Sequence, residues 1–407
     1  MTVGVRNFYG ERLLQARLSR GLFMKTLGDM VGLTGTAISR YESGEDKPQA
    51  EKLNLLADKL AFPVEFFLRS PWVDDLGLVF WRSRSSETKI AREMTEQRMK
   101  WLCEIFSFLE SEVDFPHLSL PHVDVPDDFR LITQNVIEQV ATQIRKDWGI
   151  RNLPIPDMVL ALENVGVPVA TLEIASEKQD GFLFSSKSLV RPFIGINTHN
   201  VSSCRARFDA AHELGHLLLH SRVTPEQELS PASKKVIEDQ ANRFAGALLF
   251  PREAFLSEVR HLSLDYFCDL KRVWGVSIAA MIMRAKHLGI AESDTVTTLF
   301  QNMTRRGWRG PLREPMDDVR EMPLERPRML RRAAEIAART GQLGRAALRS
   351  ALPIPTNDLE QLLGVDAGFF EDRSVLHFVN QKPRYDKPSA IDMESGKVVE
   401  FQPRFNK

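Results

Sequence analysis

A chain of 407 residues with 54 basic and 54 acidic side chains is too long for one ordinary core, so two to three domains are expected. Its apolar fraction of 43% and charged fraction of 27% exclude intrinsic disorder. The zero balance excludes a global field drawing in nucleic acid or membrane, so any DNA contact must come from a local arrangement.

No apolar run approaches the ~20 residues of a bilayer span. The leading MTVGVRNFYGER lacks the apolar core of a signal peptide. Cys103, Cys204 and Cys268 are odd in number and show no CxxC spacing, which argues against a disulfide framework. A cytoplasmic, reduced protein without membrane contact is expected.

Residues 8–69 fit five short amphipathic helices. Arg12-Leu13-Leu14 starts the first, Thr26 is placed to cap a second running to Val31, and Thr34 precedes a third that ends near Ser43-Gly44. Pro48 and Pro63 stand where helices begin. Thr26 to Gly44 carries helix-turn-helix punctuation: Gly32 permits the tight turn, and Leu27, Met30, Val31, Leu33 and Ile38 are expected to bury the junction. With the second of these helices in the major groove, Thr34, Thr36, Ser39 and Arg40 would meet base edges or phosphates of a double-stranded DNA operator. Arg40 suits bidentate pairing with guanine. The segment is only slightly basic, so a homodimer on a two-half-site operator is expected. The plainer alternative is a helical bundle for protein contacts only.

Residues 70–150 read as a helical linker. A long pattern from Lys89 to Glu112 uses Met94, Met99, Trp101, Ile105 and Phe108, breaks in FPHLSLPHVDVPDDF, and is followed by a helix from Leu131 to Trp148. From 167 the period falls to two in VPVATLEI, DGFLFSS and RPFIGIN, which read as strands. Helices follow at about 205–220, 233–249, 264–274 and 277–288, with Pro251 as a stop. Arg305 to Arg349 then holds 12 arginines and no lysine against 6 acids, an excess of 12 − 6 = +6. Pro311, Pro315, Pro323 and Pro327 mark a linker into a helical pair, and a solvated linker with a small cap is a plainer reading than a second nucleic-acid contact. The expected boundaries are 8–69, 70–150, 151–292 and 293–407, the last with no role assigned.

His212-Glu213-Leu214-Gly215-His216 is an HExxH run. With 9 histidines in the chain, chance supplies about 0.01 such runs. Two imidazoles four positions apart share a helix face and can clamp one ion, and Glu213 lies where it can take a proton from water activated there. Phe208, Ala211, Leu214 and Leu218 would bury the helix, and Gly215 leaves room for close approach at the metal. A metzincin would need glycine and histidine where Leu219 and Arg222 stand, so that class is excluded. His220 continues the row but rotates by about 40° per step, which points to a substrate-side or surface role.

The third ligand is expected from a second helix. Glu238 lies 238 − 216 = 22 residues after His216, and Asn242, four further on, shares its face. Glu238 would complete a two-His-one-Glu set for Zn2+, which suits zinc better than iron or manganese. Asn242 could accept the ring N–H of a ligating histidine and fix its tautomer. Asp239 points about 100° away and reads as a solvated charge. Glu213 is then the general base that passes the proton to the leaving amine. His199, His220 and Arg207 are the candidates for stabilising the oxyanion. RPFIGIN reads equally as a sheet edge that pairs with an extended substrate or as a core strand. Cys204 reads as a buried thiol rather than a redox-sensitive substitute ligand.

At these residues two resemblances stand out. Thr26-Leu27 through SRYESG, with Pro48, Leu53, Leu56-Ala57 and Leu60, resembles the Cro/C1-type (XRE) helix-turn-helix. RARFDAAHELGHLLLH and EDQANRFAGALLFP, with IGIN before them, resemble the ImmA/IrrE metallopeptidase family. The family resemblance implies a zinc-dependent endopeptidase tied to transcriptional control, cleaving repressors or anti-repressors. His212, His216 and Glu238 match its ligands, and Glu213 its catalytic glutamate. The expected fold is therefore α+β multidomain: an all-α helix-turn-helix domain, a helical linker, a zincin-like α+β metallopeptidase domain and a mostly helical tail. The expected function is a transcriptional regulator whose zinc endopeptidase cuts a regulatory protein, either a repressor or the chain itself. The alternatives are a ligand- or metal-sensing repressor with a non-cleaving domain, or a docking module in a toxin–antitoxin or phage-defence locus.

Overall fold

The computed structural model describes residues 4–72, 76–83, 89–172, 179–224, 230–340 and 344–371. Five helices open the chain: α1 (Gly10–Ser19), α2 (Met24–Val31), α3 (Gly35–Glu42), α4 (Ala50–Leu60) and α5 (Val64–Leu68). Leu13, Leu27, Ile38, Leu56 and Phe66 close their core. The Thr34 hydroxyl accepts the Ala37 N–H at 3.1 Å and so caps α3, while Gly32 ends α2 in the left-handed conformation. Two local expectations are corrected. Phe23, not Thr26, precedes α2, because the Leu27 N–H already closes on the Phe23 carbonyl at 3.0 Å. Met30 is exposed, since one side of α2 faces solvent.

The stretch read as a helical linker begins with a strand, β1 (Leu76–Ser83), before α6 (Lys89–Glu112) and α7 (Gln134–Asp147). The reason for the misreading is tertiary: the partner of β1 lies about a hundred residues downstream, so no local periodicity marks it. α8 (Met158–Asn164) leads into β2 (Val169–Leu172), β3 (Gln179–Ser186) and β4 (Arg191–Asn197). The sheet order is β1-β3-β4-β2, antiparallel except for the β2–β4 pair. RPFIGIN is therefore an interior strand, paired on both sides and buried along its length, and not an edge open to substrate.

Alternation along these strands divides the molecule. Val169, Leu183, Ile194 and Ile196 enter one core with helices α9 (Ser203–Leu219) and α10 (Pro231–Leu249). Their neighbours Ala170, Leu172, Phe182, Phe184 and Phe193 enter a second core, shared with α6 and the five N-terminal helices. Phe193 stacks on Phe184 at 5.1 Å and meets Phe106 of α6 edge-on at 5.3 Å. α6 is tied to α1 by a bidentate Arg12–Glu104 pair at 2.7 and 2.8 Å.

After α10 come α11 (Arg252–Glu258), α12 (Leu264–Trp274), α13 (Ile278–His287) and α14 (Ser293–Arg305), then an irregular strap, then α15 (Met329–Thr340), α16 (Arg345–Ala351) and α17 (Thr356–Leu363). The last three return to the second core, and Asp358 of α17 pairs with Arg20 at 3.0 Å. Among the described residues no helix is long and apolar enough to cross a membrane.

The strap, residues 306–328, differs from a solvated linker. Its arginines 309, 313, 320, 326 and 328 are exposed, while its acids hold it down. Glu314 accepts the Ile278 and Ala279 N–H groups at 2.8 and 3.0 Å at the start of α13 and pairs with buried Lys271, as does Asp317 at 2.7 Å. Glu325 accepts the Met158 and Val159 N–H groups at the start of α8 and pairs with Arg207. In each case a carboxylate meets the unsatisfied amides and positive end of a helix.

At the far end Glu163 accepts the Arg328 and Met329 N–H groups at 3.0 and 2.9 Å. Burial pushes its carboxyl up to about 7, against the opposing pull of those two amides. A group raised on folding stabilises the fold fully below its unfolded value and loses that contribution as pH rises through its folded value. The chain should therefore lose up to about 3 kcal/mol from this residue between pH 4.5 and 7. Glu163→Gln should remove that slope, so urea unfolding of the two proteins should diverge with rising pH in favour of the variant. Parallel pH profiles would contradict the assignment.

Candidate metal centre

α9 starts at Ser202, whose hydroxyl accepts the Arg205 N–H at 3.3 Å, and runs almost wholly buried. Ala210, Ala211, Leu214 and Leu218 join the first core. α10 lies against it so closely that a Cβ on Gly215 would stand 2.9 Å from the Phe244 ring and 3.3 Å from the Ala241 Cα. The glycine thus serves the packing of two helices, rather than access at the metal as expected.

That contact brings three donors together. His212 Nε2 and His216 Nε2 are 2.9 Å apart, and each is 3.4 Å from an oxygen of Glu238. His212, His216 and Glu238 are the group among the described residues whose ligand atoms could hold a metal ion. The donor chemistry fits one. Two ring nitrogens turned toward each other repel unless a proton or cation lies between them. A tetrahedral ion with bonds near 2.0–2.1 Å separates its donors by about 3.3 Å, close to the spacing to Glu238. Burial raises the Glu238 carboxyl, but the His212 and His216 rings outweigh it when they carry protons on Nε2, and hold the group below its ordinary range.

The remote ring atoms are also engaged. Asn242 Oδ1 lies 3.1 Å from His212 Nδ1, on the side away from Glu238. On the other histidine the arrangement is longer. Gln240 donates its amide to the Phe129 and Ile132 carbonyls at 2.7 and 3.0 Å, which turns its Oε1 toward His220 Nε2 at 2.9 Å. His220 Nδ1 then accepts from His216 Nδ1 at 3.0 Å. The carbonyls fix the amide, the amide fixes one ring and that ring fixes the next, leaving Nε2 of His216 as an acceptor facing Glu238. Burial, reinforced by His216, pushes His220 down to about 3, so it is the neutral ring the sequence of bonds requires. His220 is thus interior, which corrects its expected surface or substrate-side role. The overlooked residue is Gln240. Its signal was a polar side chain on the apolar face of Ile237, Ala241 and Phe244.

Glu213 is fully buried beneath β3, where a Cβ on Gly181 would stand 3.1 Å from its Oε1. Glu238 is partly exposed and lines a groove of about 700 Å3 bordered by Arg130, Lys235 and Arg243. The other candidates lie elsewhere. Asp239 pairs with Arg243 at 2.6 Å. Arg207 is taken by Glu325 and the Ile155 carbonyl. His199 is exposed in the turn after β4. Cys204 is a buried thiol 3.4 Å from the Met322 sulfur, and burial pushes it up to about 12.

On the N-terminal helices, Thr36 and Arg40 are exposed, Ser39 is half-buried, and the Thr34 hydroxyl is committed to its cap. Arg40 rests against Asp46 at 3.0 Å and Glu45 at 3.8 Å.

These two regions define a DNA-binding helix-turn-helix module joined to a peptidase-type domain. Residues 13–67 match the helix-turn-helix family model of XRE type, and residues 162–286 match the IrrE N-terminal-like domain of peptidase family M78. Over 61 residues, 15% of its length, the chain is 31% identical to the SPbeta prophage-derived uncharacterized HTH-type transcriptional regulator YonR of Bacillus subtilis (strain 168). The chain spans 56% of that protein.

The closeness of the two site helices is directly testable. Gly215→Ala should force Phe244 or the α10 backbone aside, at a cost of about 1–3 kcal/mol in unfolding measurements. Unchanged stability would show that the helices are not so tightly apposed.

Proposed function

We propose that this protein is a DNA-binding transcriptional regulator with a zinc-dependent endopeptidase domain that hydrolyses a peptide bond in a regulatory protein, either a partner repressor or its own chain. The convergence of His212, His216 and Glu238 beside a buried Glu213 carries this reading. Zinc, when bound, supplies Lewis acidity to the scissile carbonyl and to water. Everything else is the work of the chain. His212 and His216 present Nε2, held in that tautomer by Asn242 and by His220 with Gln240. Glu213 takes the proton from water on a carboxylate oxygen and delivers it to the leaving amine. Its buried position keeps bulk water from competing for that proton. Arg40, Thr36, Ser39 and the start of α3 at Thr34 form the operator-reading surface of a homodimer working in the cytoplasm.

A second reading is supported by the core that joins the sheet to the N-terminal helices. In it, the metal domain acts as a sensor whose occupancy is relayed to the DNA-binding end without any cleavage. Incubation with zinc and candidate repressors, followed by mass spectrometry, separates the two. Fragments favour the peptidase; effector-dependent operator binding without fragments favours the sensor.

Glu213→Gln should retain zinc and operator DNA while cleavage falls by about 10²–10⁴-fold; undiminished cleavage would rule out the assigned base. His220→Phe should weaken zinc binding by about 10–100-fold in chelator competition. His220→Asn, which keeps an acceptor near the Nδ1 position, should recover part of the loss. Equal zinc affinity in all three proteins would show that the ring is mere filling.

A further inference from the structure

We infer that the outer edge of β3 is the peptide-docking edge of this site, and that β1 of the same chain occupies it. The inference rests on the peptidase reading and names how its substrate is held. β3 is the strand whose backbone passes over the general base, with the Gly181 Cβ position 3.1 Å from Glu213 Oε1. One edge of β3 is closed by β4, and the other by β1. A substrate held as an added strand gains its main-chain hydrogen bonds from such an edge. It would have to lie where β1 lies, one strand spacing of about 4.8 Å outward.

The register points the same way. β1 runs antiparallel to β3 from Leu76 opposite Ser186 to Trp81 opposite Phe182 and Ser83 opposite Gln179. Between the last two pairs β3 has two residues and β1 one, so β3 bulges at Asp180-Gly181, beside Glu213. Bulges cluster next to active sites because they re-aim the backbone there. The end of β1 that reaches this bulge is Trp81-Arg82-Ser83. The ligand class is thus an extended segment of strand-forming apolar and aromatic residues, of which LGLVFWRS is the resident copy. β1 lies between α5 and α6, in the stretch that connects the DNA-binding helices to the rest of the chain. Access to the site is thereby linked to that connection.

The test measures docking, not hydrolysis. A fluorescent peptide of sequence LGLVFWRS is titrated into the zinc-loaded full chain carrying Glu213→Gln, with and without Phe80→Pro plus Trp81→Pro. Adjacent residues of an antiparallel strand alternate in their ladder bonds, so the double proline removes a donor whichever residue supplies it. The peptide should bind the proline variant at least tenfold more tightly than the parent, and should slow hydrogen exchange at residues 181–186. Equal affinity for both proteins, or protection confined to another part of the chain, would overturn the proposal. A variant with residues 77–82 replaced by alternating glycine and serine keeps the test decisive if the prolines unfold the chain. Docking without cleavage in the Glu213-containing protein would sink the peptidase reading and leave the edge assignment standing.

Discussion

The arrangement depends on period-two burial in one small sheet. Because β3 and β4 are buried on both faces, alternate residues have to satisfy different neighbours. Leu183, Ile194 and Ile196 pack on the helices that carry the site, while Phe182, Phe184 and Phe193 pack on α6 and the N-terminal half. A slip of one residue would exchange the two sets and empty both cores at once, so the register is tightly specified. The same constraint puts the helix-turn-helix module and the helices of the His-His-Glu cluster on opposite sides of a shared wall.

Inside the first core, the buried histidines are given bonds by their neighbours. α9 and its C-cap His220 carry three buried imidazoles and two buried carboxylates, Asp209 and Glu213, an expensive content for a helix in an apolar setting. The expense is met by direction: each ring has an assigned donor and acceptor, ending on the carbonyls of Phe129 and Ile132. The same economy recurs in the strap, where Glu314 and Glu325 settle on helix starts and Lys271 is neutralised by two acids. The buried charges of the strap and its partners sit at helix starts and between layers.

Much of this was legible in the sequence because local signals coincide with global ones. The HExxH spacing, the Glu238–Asn242 pair on one face, Thr34 before α3 and the bounds of α6 all follow from periodicity and capping. What escaped had its cause at a distance. β1 has no partner nearby in sequence, so its eight residues pass for part of a helical linker. RPFIGIN shows its alternation but not which strands flank it. His220 looks like a surplus histidine on a rotating row until Gln240, twenty residues later, gives its Nε2 a partner. The Arg-rich strap advertises its exposed cations, whereas its less numerous acids do the anchoring.

The second core has a consequence for any signal sent by cutting this protein. The five N-terminal helices meet α6, the sheet and α15–α17 in one continuous apolar mass, riveted by Arg12–Glu104 and Arg20–Asp358. Severing the backbone between α5 and α6 would break one covalent link and leave that adhesion whole. The pieces would travel together as a nicked particle, still presenting α3. For a scission there to release the helix-turn-helix end, the break must loosen the adhesion and not only divide the thread.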